Sequence, residues 1–93
     1  MYTILVCDDE RDIVSALEIY LTAEGYRVLK AYNGKEALAI AGREDVHLIL
    51  MDIMMPVMNG IVMCRKLKED LRTSHIPIIL LTAKDSLQDK EEG

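Results

Sequence analysis

Tryptophan and phenylalanine are absent from this 93-residue chain, and four tyrosines are its only aromatic side chains. Any core must therefore be assembled from Ile, Leu, Val, Met and Ala. There is no excess of basic residues: 11 Lys and Arg stand against 16 Asp and Glu, a net charge of −5. Phosphate backbones are bound by basic faces, so this balance argues against direct nucleic-acid binding and suits tolerance of a cation. No apolar run approaches the roughly 20 residues that a membrane-spanning helix requires. Met1 runs straight into a strand pattern with no signal-peptide pattern before it. Only two cysteines occur, Cys7 and Cys64, each inside an apolar pattern. Reduced, buried thiols are expected rather than a disulfide or metal pair, and with them a cytoplasmic location. Repeats, low-complexity stretches and interdomain linkers are missing too. A composition of 51% hydrophobic and 29% charged residues then points to one soluble globular domain.

What is present is a set of short apolar runs that end in polar residues. Tyr2 to Cys7 reads as a strand covered on both faces and stops at Asp8-Asp9-Glu10. Ile13, Leu17, Tyr20 and Leu21 recur at helical spacing, with Asp12 near the positive end of the helix and Gly25 closing it. Arg27 to Ala31 is a second strand, Asn33-Gly34 a turn, and Lys35 to Ala41 a short helix ending near Gly42. Val46 to Met51 is a third strand that stops at Asp52. Ile53 to Asn59 is a loop, since Pro56 cannot pair in a sheet interior. Gly60 opens a helix whose expected buried stripe is Ile61, Cys64, Leu67 and Leu71. Arg72 to His75 is a polar connection, and after Pro77 the run Ile78 to Leu81 forms a fourth strand ending at Thr82-Ala83-Lys84.

This β-α-β-α-β-α-β order predicts an open parallel sheet with helices on both faces. Such sheets carry their sites at the carboxyl ends of the strands. Asp8, Asp9, Asp52 and Thr82 all fall at those ends. Carboxylates about 4 Å apart repel by about 4 kcal/mol per pair at an effective dielectric near 20. Protonation or a divalent cation relieves that repulsion, and oxygen-only ligands suit Mg2+ or Mn2+. An aspartate beside such a cation can attack phosphorus and carry an acyl phosphate. The Thr82 hydroxyl and backbone amides near Ala83 would then contact phosphoryl oxygens. Blander roles exist for each residue. Asp8 and Asp9 suit a helix cap and first turn, Thr82 a cap, and Asn59 with Gly60 a cap and turn. His47 and His75 read as solvated loop residues. Met54, Met55, Met58 and Met63 suit packing better than a soft-metal site.

Three segments together resemble the receiver domain of a bacterial two-component response regulator. They are Val6-Cys7-Asp8-Asp9-Glu10, Asp52-Ile53-Met54-Met55-Pro56-Val57-Met58-Asn59-Gly60, and Leu80-Leu81-Thr82-Ala83-Lys84. The resemblance implies a flavodoxin-like three-layer α/β/α fold with strand order 2-1-3-4. It implies Asp52 as phosphoacceptor, and Asp8, Asp9, Asp52 and the Met54 backbone carbonyl as metal ligands. Thr82 and the Ala83 amide become phosphoryl contacts, with Pro56 and Gly60 shaping the loop. Mg2+ or Mn2+ is the implied cofactor, and a sensor histidine kinase the implied partner. The only activity implied is self-phosphorylation and self-dephosphorylation. The family continues through a fifth strand ending in a Lys and through a fifth helix, which residues 1–93 do not match. Neither Lys84 nor Lys90 both follows an apolar strand and precedes a Pro. The expectation is a truncated receiver with impaired switching, forming homo-dimers or larger assemblies through an exposed fourth-strand edge. Rival readings are a phosphorylation-independent interaction module, an aspartyl-phosphate hydrolase of the haloacid-dehalogenase type, and a flavin-binding module. Met54 stands where the hydrolase needs a second Asp. Asp8-Asp9-Glu10 would repel a flavin phosphate.

Overall fold

The computed structural model describes residues 1–53 and 60–81. In chain order these form β1 (Thr3–Cys7), α1 (Arg11–Ala23), β2 (Arg27–Ala31), α2 (Gly34–Arg43), β3 (Leu48–Asp52), α3 (Gly60–Glu69) and β4 (Ile78–Leu81). The strands make one sheet of order β2-β1-β3-β4, every pair parallel. The strand pattern predicted the open parallel sheet, and its order is the flavodoxin-like one that the receiver resemblance implies.

Alternation along the strands sends side chains to opposite faces, and two cores result. Leu5, Cys7, Ile49 and Met51 point to the side of α2 and α3, where they join Ala37, Ala41, Met63 and Leu67. Ile4 and Val6 point the other way and meet Val14 of α1. Gly25 ends α1 in the left-handed region at φ 92°, a conformation that glycine adopts without a Cβ clash. Asn33 caps α2 by accepting from the Glu36 amide at 2.9 Å.

The buried stripes differ in detail from the sequence expectation. In α1 the fully buried residue is Val14, while Tyr20 is 63% exposed. In α3 the buried pair is Met63 and Leu67, four residues apart on one face. Ile61 lies on the far side of that helix, and Leu71, 91% exposed, falls beyond its last turn. The polar connection is also more ordered than its composition suggested. Thr73 is buried and donates its hydroxyl to the Leu67 carbonyl at 2.6 Å. Lys68 reaches the carbonyls of Ser74 at 3.1 Å and Ile76 at 2.8 Å. His47 is likewise no solvated loop residue. Its Nδ1 accepts from the Thr3 amide at 2.9 Å, its own amide donates to the Thr3 carbonyl at 2.9 Å, and its ring stacks on Tyr2.

Candidate functional site

The β1–β3 register pairs Cys7 with Met51, so the next residues, Asp8 and Asp52, emerge side by side. Asp8 extends the sheet by donating its amide to the Ala31 carbonyl at 3.1 Å. Its carboxylate accepts from the Glu10 amide at 2.9 Å. That local bond turns the chain away from the sheet and into α1. Asp9, on the outside of the turn, is exposed; Asp8 is buried and Asp52 half-buried.

One carboxylate oxygen from each of Asp8, Asp9 and Asp52 lies within 4.8 Å of the others. Burial raises the Asp8 carboxyl above its ordinary range, opposed by the Glu10 amide and reinforced by the charges of Asp52, Asp9 and Glu10. Burial, followed by the charges of Asp8, Asp52, Glu36 and Asp9, pushes the neighbouring Cys7 thiol up to about 12. Among the described residues the converging donors are the three carboxylates, all hard oxygen. That set fits Mg2+ or Mn2+ and not a soft metal.

Of the remaining site residues expected from sequence, Gly60 opens α3. Met54, Pro56, Thr82 and Ala83 lie outside the described residues. The structure adds one feature that the sequence reading missed. Arg11 stacks over Tyr32 with its guanidinium carbon 4.0 Å from the ring centroid. Glu36 holds the backbone that carries that ring by accepting from the Tyr32 amide at 2.7 Å. The Asn33…Glu36 spacing, close to a capping box, was the available signal for the lower half of this arrangement.

Comparison with known proteins agrees with this geometry. The profile of the family described as "Response regulator receiver domain" matches residues 4–93. The chain is 50% identical over 90 residues to "Response regulator PleD" of Caulobacter vibrioides, covering 97% of this chain and 20% of that protein. It therefore spans about a fifth of that relative's length. It is 42% identical to "Protein PilH" of Pseudomonas aeruginosa, covering 100% of this chain and 77% of the relative. Among solved structures, the N-terminal domain of a response regulator receiver protein from Methanoculleus marisnigri superposes with a TM-score of 0.87. Its identity is 40%, over 90% of this chain and 68% of that one. The chemotaxis response regulator CheY4 of Vibrio cholerae gives 0.86 at 33% identity, over 100% and 78% of the two chains.

Proposed function

Because this chain belongs to the response regulator receiver domain family, we propose that Asp52 accepts a phosphoryl group from a sensor-kinase phosphohistidine, with Asp8 and Asp9 holding Mg2+ or Mn2+. Receiver domains are two-component signalling modules that pair with sensor histidine kinases and bind Mg2+ at an acidic pocket. The observation that carries the reading is the convergence of Asp8, Asp9 and Asp52, with one carboxylate oxygen of each within 4.8 Å.

In the proposed transfer an Asp52 carboxylate oxygen bonds to phosphorus as the phosphorus–nitrogen bond to the donor imidazole breaks. The departing nitrogen takes up a proton, and Asp52 carries an acyl phosphate. The cation supplies neutralisation of carboxylate and phosphoryl charge when bound. Buried Asp8 is the residue most dependent on that neutralisation, because burial disfavours its ionised form. Met54 would add a backbone carbonyl to the cation, Thr82 and the Ala83 amide would receive phosphoryl oxygens, and Pro56 and Gly60 would shape the loop. Residues 1–93 would then act as one receiver unit in the cytoplasm, without turnover of a separate substrate.

Incubation with acetyl phosphate and Mg2+, followed by intact mass, tests the reading. A phosphoryl adduct that disappears on chelation and in Asp52→Asn is expected. No adduct, with partner binding intact, would instead favour a phosphorylation-independent interaction module.

The outer edge of β4 also supports an assembly reading. β4 pairs only with β3 among the described residues, and its Ile79 is 50% exposed. Apolar edge strands invite pairing with another chain. The 93-residue chain is proposed to form dimers or larger assemblies through this edge. Light scattering that shows a folded monomer at micromolar concentration would overturn this.

A further inference from the structure

Stacking engages the flat face of a guanidinium and leaves its N–H donors, which lie in the plane, available. Arg11 is held this way on Tyr32, and among the described residues none of the ion pairs engages it. The backbone that carries the platform is itself held. The Tyr32 amide donates to Glu36, and the Glu36 amide donates to the Asn33 side chain. Tyr32 directly follows Ala31, whose carbonyl accepts from the Asp8 amide. The Tyr32 backbone therefore stands beside Asp8 at the end of the neighbouring strand, roughly 5 Å across the sheet. Arg11 follows Asp9 by two positions, at the first residue of α1. A pinned cation thus sits on the β2 side of the acidic edge, with Asp52 on the β3 side.

A phosphoryl dianion approaching this edge meets three carboxylates on a chain of net charge −5. A planar fork of N–H donors at the rim matches phosphoryl oxygens in charge and geometry. We propose that Arg11, oriented by Tyr32, binds the phosphoryl group of the incoming donor before its transfer. This rests on the reading of Asp52 as phosphoacceptor. Arg11 acts on donor capture, and the bond-making remains with Asp52. Tyr32 is a positioning residue, since it acts only through Arg11.

The test measures initial rates of Asp52 labelling against acetyl phosphate concentration, at saturating Mg2+ and low ionic strength. Arg11→Gln is expected to raise the half-saturating donor concentration about fivefold and leave the rate at saturation unchanged. Tyr32→Leu should raise it about twofold by releasing the guanidinium, and Arg11→Lys should fall between wild type and Arg11→Gln. The difference between wild type and Arg11→Gln should shrink in about 0.5 M salt, where charges separated by a few ångströms are screened. Mg2+ affinity should hold or tighten in Arg11→Gln, because a nearby positive charge has been removed. An unchanged half-saturating concentration overturns the Arg11 proposal while a labelled wild type keeps the phosphoacceptor reading. A wild type that does not label overturns both. Joint loss of Mg2+ affinity and saturated rate in Arg11→Gln would mark a general structural effect and overturn the donor-binding role.

Discussion

The two faces of the sheet are built differently. Toward α2 and α3, eleven buried residues form a single cluster. Toward α1, only Ile4, Val6 and Val14 are buried among the described residues, and Leu48 and Leu50 are covered in part. A cleft of about 450 Å³ opens on that side between Tyr2, Ile4, Leu21, Tyr26, Leu48 and Leu50. Both faces receive alternate residues of the same strands, so strand composition does not explain the contrast. The cause is coverage. Two described helices press on one face and a single described helix on the other. The acidic edge lies directly beyond Cys7 and Met51 of the densely packed face.

Substitutions on the two faces should expose that difference. Leu67→Ala removes a fully buried side chain from the dense face and should cost about 3 kcal/mol in chemical denaturation. Leu50→Ala, on the open face, should cost about 1 kcal/mol, because its side chain already meets solvent in part. Equal losses would show that the open face is covered in solution. Thr73→Val tests the end of the dense face. It leaves the Leu67 carbonyl without the Thr73 hydroxyl and should cost about 1–2 kcal/mol.

The smallest effect lies on the exposed turn after α3. Side-chain and backbone hydrogen bonds from Arg72 hold the Asp70 carboxyl down at about 2. A depressed carboxyl contributes stability above the ordinary aspartate range and loses it as pH falls toward 2. Arg72→Gln should return Asp70 to the ordinary range in an NMR titration and flatten that acid-side slope. Because the pair is exposed, stability at neutral pH should hardly change. An unmoved Asp70 titration would show that the backbone amide of residue 72 suffices.

Strand positions and the meeting of Asp8, Asp9 and Asp52 were legible from the sequence, because both follow from short apolar runs with polar ends. The buried face of α3 was not. Apolar residues at 61, 62, 63, 64 and 67 allow more than one stripe, and only packing on Met51 and its neighbours selects Met63 with Leu67. The bonds of His47 and Thr73 were not legible in the sequence, for a shared reason. Each satisfies a backbone group distant in sequence or at a helix end, and composition carries no trace of such a bond. The Arg11–Tyr32 stack joins residues on different elements and needs the β1–β2 pairing to bring them together. Roles for Met54, Pro56, Thr82 and Ala83 rest on sequence resemblance alone.

The bonds between His47 and Thr3 fix more than a strand end. From Thr3 to Asp8 and from His47 to Asp52 the chain advances by the same five positions, along two strands in matched register. The two aspartates reach the same height because the strands stay in register from Thr3 and His47 onward. A residue inserted into either strand would shift one aspartate by about 3.3 Å and turn it to the opposite face. The His47 imidazole thus adds, at the far end of the sheet, one more bond to the register that brings the two aspartates level.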